Sequence, residues 1–237
     1  MKSRHFYSSG NDRFSGALTN NKLEWQRPCF KYAEKMVIAD STLRAFGRLR
    51  INFGKTAINS YGGMDILEFI CLLRANRLSK DVDLDKFGVR ERYQMGRDEF
   101  ARTRFCRHCK SECMEDFAGE LILVVGLNNA LKATRQPFVN FQRKRIQNVP
   151  AMFKLLDGVL AEMLPKAKVA FVQPLKVPYL RFKDQLEVYA EIETEVLKRN
   201  HISIDPEKPT RENMIDYEGV HLYDQQSVAF WKEIIQP

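Results

Sequence analysis

The sequence predicts a three-layer α/β/α fold in which a five-stranded parallel sheet lies between helices. Apolar runs of strand length alternate with helical patterns along the chain, and this alternation is typical of a parallel sheet with helices on both faces. The run ELILVVG (120–126) is continuously apolar, as expected of a strand that is covered on both faces. The chain of 237 residues is long enough to bury a sizeable core and fits one large domain better than two.

Two strand–helix units are predicted before that run. The first strand is KMVIA (35–39), and a helix follows through TLRAFGRLR (42–50). The second strand is KTAINS (55–60). The next segment, MDILEFICLLRANRL (64–78), has apolar residues at positions i, i+3, i+4 and i+7, which indicates an amphipathic helix.

Two more strands and three helices are predicted after ELILVVG. The strands are KVAFVQPL (168–175) and ISID (202–205). The helices are predicted at about 138–164, at 181–200 and within 223–235. The first of them should be broken or kinked near Pro150, because proline has no N–H to donate.

Two segments fall outside this pattern. Residues 1–34 are predicted to be a flexible basic tail, and they lack the apolar stretch of a secretory signal. Residues 78–115 form a charged insertion in the domain 35–237. We expect this insertion to be poorly ordered, because its apolar content is too low to offset the entropy of ordering it.

The composition favours an intracellular protein. Hydrophobic residues make up 44% of the chain and charged residues 29%, which is typical of a globular protein. Its apolar runs fall short of the roughly 18 to 20 residues of a membrane span. Five cysteines, an odd number, without a secretion signal suggest a reducing compartment. We therefore expect the cytoplasm or the nucleus.

The cysteines of the insertion give a weak metal signal. The stretch CRHCKSEC contains Cys106, His108, Cys109 and Cys113. A Cys-x-x-Cys pair is half of a tetrahedral zinc site, and the sequence shows no second half with suitable spacing. Cys29 or Cys71 could join only if the fold brings one of them close. We therefore predict free thiols, no metal and no cofactor.

The basic charge is concentrated in one part of the chain. The net charge is +8, and the stretch 121–156 contains no acidic residue. Such a stretch could bind RNA or another anionic partner, although a solvated helix surface gives the same pattern. The candidate contacts are Lys132, Arg135, Arg143, Lys144 and Arg145.

Polar and small residues follow three of the predicted strands and precede the last helix. In a doubly wound sheet the carboxyl ends of the strands meet at one edge, where sites form. A hydroxyl, an exposed backbone, a carboxamide and an imidazole beside a carboxylate are the parts of an acyl-transfer site. The segments are Ala39-Asp40-Ser41, Tyr61-Gly62-Gly63, Gly126-Leu127-Asn128-Asn129 and the stretch with Asp216, Glu218 and His221.

The first of these segments has two interpretations. Asp, Ser and Thr residues commonly cap helices, because their side chains accept bonds from the free N–H groups of the first turn. Alternatively, Ser41 is a nucleophile presented at a strand-to-helix turn.

This set, in this order, resembles the SGNH hydrolases, also called the GDSL esterase/lipase family. Ala39-Asp40-Ser41 matches the family's Gly-Asp-Ser, and Gly63 (less well Gly62) matches its lone glycine. The other two matches are Gly126-Leu127-Asn128-Asn129 for Gly-x-Asn-Asp and Glu218-Gly219-Val220-His221 for Asp-x-x-His. The resemblance covers about 35–235 and implies a flavodoxin-like sheet of order 2-1-3-4-5, with Ser41 at its carboxyl edge.

The resemblance also implies a role for each matched residue. Ser41 would be the nucleophile, His221 the base that takes its proton, and Glu218 the carboxylate that orients the imidazole. The backbone N–H groups of Ser41 and Gly63 and the side chain of Asn128 would form the oxyanion hole.

Three departures from the family pattern affect these roles. Ala39 replaces glycine and should keep the turn, and Asn129 replaces an aspartate that mostly organises the loop. Glu218 replaces aspartate, and its extra methylene shifts the geometry. Asp216 is a nearby substitute that the family spacing disfavours.

Two functions therefore remain open. The first is hydrolysis of an ester or acetyl group. The second is a catalytically impaired, hydrolase-like domain that binds RNA or a protein partner, as in a germ-plasm protein whose related domain lacks the catalytic set. Domains of this family also occur in proteins of some retroelements, where nucleic acid is close by. Neither the acyl group nor the oligomeric state follows from the sequence.

Overall fold

The sheet has the predicted architecture. The computed structural model describes residues 33–49, 54–60, 63–75, 114–133 and 148–236. Within them one parallel sheet has the order β2-β1-β3-β4-β5, so the predicted fold class and strand order are confirmed. The predicted tail, 1–34, and insertion, 78–115, lie almost entirely outside the described residues. The strands are β1 (Lys35–Ala39), β2 (Thr56–Ser60), β3 (Glu120–Val124), β4 (Lys168–Val172) and β5 (His201–Ile202).

Helices cover both faces of this sheet. A 3₁₀ turn, Ser41–Leu43, leads into α1 (Arg44–Leu49), and the later helices are α2 (Ile66–Ala75), α3 (Leu127–Leu131), α4 (Val149–Met163), α5 (Lys183–Leu197), α6 (Lys208–Arg211) and α7 (Asp224–Ile235). α1 packs against α7, whereas α4 packs between α2 and α5. Right-handed crossovers place these two groups on opposite faces, because the connection from β1 to β2 runs opposite to the later ones. Among the described helices none is long and apolar enough to cross a membrane.

Four strands are shorter than predicted, of which β2 lacks one residue because it begins at Thr56 instead of at 55. β3 ends at Val124, and Gly126 then adopts a φ of 114°, which favours glycine. A Cβ at Gly126 would also lie 2.7 Å from Ile192 Cγ2. β4 ends at Val172 rather than at 175, shortly before Pro174, which has no N–H for the ladder. β5 is His201–Ile202 instead of 202–205.

Pro150 marks the start of a helix. The Asn148 side chain caps α4 by accepting a hydrogen bond from the Ala151 N–H at 3.1 Å. Pro150 lies in the first turn, where its missing N–H costs no intrahelical bond. The helical pattern is therefore interrupted here rather than kinked, and the predicted portion 138–147 lies outside the described residues.

The C-terminal helix is anchored beside the end of β1. Trp231 of α7 is fully buried, and its ring meets Phe230 edge-on at a centroid distance of 5.1 Å. The Ser227 hydroxyl donates to the Thr42 carbonyl at 3.4 Å. α7 thus positions the loop that precedes it, which carries His221, next to the turn that carries Ser41.

Candidate active site

In the turn after β1, the capping residue and the candidate nucleophile are two different residues. The Asp40 carboxylate accepts bonds from the Thr42 N–H at 2.9 Å and from the Thr42 hydroxyl at 2.8 Å. The Asp40 N–H donates to the Val124 carbonyl, and its carbonyl accepts from the Ser60 hydroxyl at 2.6 Å. Asp40 therefore caps the turn, and the Ser41 side chain is left for another partner.

That partner is His221. Its Nε2 lies 2.9 Å from the Ser41 Oγ, and its Nδ1 lies 3.2 Å from the Glu218 Oε2. The arrangement fits the tautomer in which Nδ1–H donates to Glu218 and Nε2 accepts from the serine hydroxyl. A general base for Ser41 needs this tautomer. The structure thus brings Ser41 to His221, which follows it by 180 positions, and to Glu218 three residues before that histidine.

A short hairpin fixes the spacing of His221 and its carboxylates. Ile215 pairs with Leu222 in an antiparallel bridge. Within the hairpin, the Asp216 N–H donates to the His221 carbonyl at 2.7 Å, and the Gly219 N–H donates to the Asp216 carbonyl at 2.9 Å. These backbone bonds hold the side chains of positions 216, 218 and 221 on the same side of the loop.

Arg44 is a charged neighbour that the sequence analysis missed. Its Nη2 lies 2.9 Å from the Asp216 Oδ2, and its Nη1 lies 3.7 Å from the Glu218 Oε2. The Asp216 Oδ2 is also 3.8 Å from the His221 Nδ1. A signal was present, because Arg44 follows Ser41 by three residues and so lies one helical turn away on the same face.

Charge and burial act on the basicity of His221. Burial lowers its pKa below the ordinary value, and the nearby Arg44 guanidinium lowers it further. Asp216 and Glu218 act in the opposite direction without reversing the shift. The imidazole is therefore mostly neutral at neutral pH, as a general base has to be.

Asp40 is a second perturbed group. Its complete burial raises its pKa to about 6, although bonds from Thr42 oppose the shift. The Lys132 ammonium and the Asn128 amide also lower this pKa to a smaller extent.

Asn128 carries a buried donor that makes no well-formed hydrogen bond to the described residues. It lies in the first turn of α3 and is 8% exposed. Its Nδ2 meets no hydrogen-bond acceptor at good geometry among the described residues, although it is near enough to affect Asp40. A buried donor without a partner is costly. The sites of the other two candidate oxyanion donors, Ser41 and Gly63, follow β1 and β2 at the same edge of the sheet.

Asn129 has a structural position. Its Oδ1 accepts a hydrogen bond from the Ile66 N–H at 3.0 Å, at the start of α2. Its Nδ2 lies 3.8 Å from the Met152 sulfur. Asn129 therefore links the loop after β3 to α2.

Lys132 contacts the loop after β2, at the same edge of the sheet. Its Nζ donates to the Gly63 carbonyl at 2.5 Å and lies 3.4 Å from a Glu68 oxygen and 3.6 Å from an Asp65 oxygen. These contacts hold the loop that carries Gly63. The other candidate nucleic-acid contacts lie outside the described residues: Arg135, Arg143, Lys144 and Arg145.

The cysteine cluster at 106–113 also lies outside the described residues. Within the described ranges, Asp216, Glu218 and His221 offer ligand atoms within 4.8 Å of one another. The Arg44 guanidinium already forms ion pairs with both carboxylates of this group, so we assign no metal to it.

Comparisons with known proteins gave structural similarities only. No family model and no curated protein matches the sequence. The chain is similar in structure to the lipase/acylhydrolase from Enterococcus faecalis, with 14% identity, a TM-score of 0.44 and coverage of 85% of this chain and 93% of that one. It is also similar to a GDSL-like lipase from Bacteroides thetaiotaomicron VPI-5482, with 13% identity, a TM-score of 0.40 and coverage of 86% and 88%.

Proposed function

We propose that the chain is an SGNH-type serine hydrolase that cleaves an ester or acetyl group. The observation that supports this proposal is the hydrogen-bonded series Ser41–His221–Glu218, with distances of 2.9 and 3.2 Å. A serine hydroxyl is a poor nucleophile until a base takes its proton, and this series supplies the base and a group that orients it.

The reaction would proceed in two halves. The Ser41 Oγ attacks the ester carbonyl while its proton passes to His221 Nε2, and the imidazolium then donates this proton to the departing alcohol. The resulting acyl-serine is attacked by water, whose proton goes to the same nitrogen, and Ser41 leaves with that proton. Glu218 accepts the bond from Nδ1–H throughout and stays ionised.

The oxyanion of each tetrahedral intermediate needs donors at the same edge of the sheet. We assign this role to the N–H groups of Ser41 and Gly63 and to Asn128 Nδ2. The lack of an acceptor for Asn128 Nδ2 among the described residues supports the assignment, because the oxyanion would provide one. One such donor typically contributes about 3 to 4 kcal/mol of transition-state stabilisation.

The replacement of aspartate by Glu218 is compatible with this mechanism. The glutamate reaches the imidazole from a side-chain position that is 46% exposed. Solvent weakens such an ion pair, so Glu218 should contribute less than a buried aspartate does in the same role.

Labelling of the purified protein with a fluorophosphonate probe tests the proposal directly. The wild type should be labelled and should hydrolyse a short acyl ester, whereas Ser41→Ala should do neither. Ser203→Ala is a matched control, because Ser203 is exposed and lies after β5. Labelling that survives in Ser41→Ala would exclude Ser41 as the nucleophile.

The alternative is a domain that binds RNA or a protein partner without catalysis. Of its candidate contacts, the described structure shows Lys132 alone, and its ammonium group is bonded to the Gly63 loop. If RNA is bound, its affinity should fall with salt by a log–log slope of about −0.7 per phosphate contacted. Replacing Arg143, Lys144 and Arg145 with alanine should then flatten that slope, and Ser41→Ala should not.

A further inference from the structure

Two carboxylates compete for the Nδ1 of His221. Asp216 is almost fully buried, with a side-chain exposure of 7%, but its Oδ2 is 3.8 Å from Nδ1. Glu218 is far more exposed, yet its Oε2 is closer, at 3.2 Å. A buried carboxylate interacts more strongly with a neighbouring charge than an exposed one does. It therefore needs an explanation that the exposed Glu218, and not the buried Asp216, is the carboxylate closer to His221 Nδ1.

Arg44 supplies that explanation. Both oxygens of Asp216 are engaged. Oδ2 accepts a hydrogen bond from the Arg44 Nη2 at 2.9 Å, and Oδ1 accepts one from the backbone N–H of His221 at 3.4 Å. The guanidinium also stays within 3.7 Å of Glu218. Because α1 packs against α7, the fold itself holds Arg44 beside the hairpin.

We propose that Arg44 is a positioning residue of this site: by binding Asp216 it leaves the Nδ1 of His221 to Glu218. The proposal rests on the proposed function for its catalytic consequence, but not for its electrostatic one. The charged groups that face His221 are Arg44 from α1 and the carboxylates Asp216 and Glu218 from its own loop; Ser41 faces it from the 3₁₀ turn.

Neutral replacements of Arg44 should therefore have two effects. Without the guanidinium, two carboxylates face the ring and no cation among the described residues opposes them, so the pKa of His221 should rise. Asp216 also becomes free to approach Nδ1 and can replace Glu218. Arg44→Lys keeps the charge, so it should hold the His221 pKa low, although it cannot bridge both carboxylates as a guanidinium does.

NMR titration of the His221 ring measures the first effect without any substrate. Arg44→Met and Arg44→Gln should both raise the His221 pKa, Arg44→Lys should restore it, and Arg211→Met should leave it unchanged. Arg211 is a matched control because it forms an exposed ion pair with Asp205, outside the site. If Arg44→Met does not fold, Arg44→Gln gives the same result with a side chain that can still hydrogen-bond to Asp216.

A double-mutant cycle measures the second effect. Glu218→Gln should lower kcat/KM at least about tenfold in the wild-type background and less than about threefold in Arg44→Met, whose side chain cannot hold Asp216, so that Asp216 takes the place of Glu218. An unchanged His221 pKa in both neutral variants, or equal losses in the two backgrounds, would overturn the proposal. A shifted pKa in a protein that hydrolyses no ester would instead retain the electrostatic role of Arg44 and reject the proposed function.

Discussion

The buried carboxyl of Asp40 predicts that stability depends on pH in an unusual direction. The folded protein raises this pKa to about 6 from an ordinary value of 3.8. A carboxyl with a raised pKa is most favourable to folding when it is protonated, below about pH 4. Its contribution is lost as the pH rises through 6. Two pKa units at 1.36 kcal/mol each give a difference of about 3 kcal/mol.

Asp40→Asn removes this titration but keeps an oxygen that can accept both bonds from Thr42. Urea unfolding of the two proteins between pH 4 and pH 8 measures the difference. The stability of the variant relative to the wild type should increase by about 2.4 kcal/mol from pH 4 to pH 7, because the unfolded carboxyl is already more than half ionised at pH 4. Thr42→Val, which removes one of the opposing hydrogen bonds, should steepen the loss of stability with rising pH. A difference between wild type and Asp40→Asn that stays constant across this range would show that Asp40 does not titrate there.

Two further variants test the proposed oxyanion donor, Asn128, and the proposed orienting carboxylate, Glu218. Asn128→Ala should lower kcat by about 100- to 1,000-fold. The midpoint of its thermal unfolding should be unchanged or raised, because the variant removes a buried donor that has no acceptor among the described residues. A lowered midpoint would indicate that Asn128 has a structural role. Glu218→Asp should lower kcat/KM, because the shorter side chain withdraws from the His221 Nδ1, which Glu218 reaches at 3.2 Å. This holds although aspartate is the residue of the SGNH pattern that the sequence resembles. Unchanged kinetics would mean that another carboxylate orients the imidazole.

The sheet could be predicted because its central strands carry the strongest local signal. Met36–Ala39 and Leu121–Val124 are buried on both faces, which requires the continuously apolar runs seen in the sequence. The length of the edge strand β5 was harder to predict. β5 pairs over only two residues. Its predicted length rests on Ile202 and Ile204, which both pack against the core, although only Ile202 lies in the strand. Strand length at an edge depends on the neighbouring strand, and β4 offers only Phe171 and Val172 to β5.

The candidate site was predictable in its polar parts and not in its charge balance. Ser41 and Asn128 can be recognised because they follow apolar strands, and His221 because it lies beside acidic residues before the last helix. Arg44 does not stand out, because an arginine on a short helix is usually a solvated residue. Its pairing with Asp216 joins residues 172 positions apart and depends on the packing of α1 against α7. Such a contact is a property of the tertiary structure.

Asparagine suits position 129 because two carboxylates already lie nearby, at the start of α2. The start of α2 already has two carboxylates, Asp65 and Glu68, which cap the helix reciprocally, each accepting a backbone N–H from the other's residue at 2.8 and 2.9 Å. Lys132 lies within 3.6 Å of both. An aspartate at 129 would add a third negative charge here, whereas Asn129 offers the Ile66 N–H the same acceptor without that charge. The loop that carries Asn128 therefore keeps the bond that ties it to α2, so this departure from the family pattern leaves the proposed oxyanion donor in place.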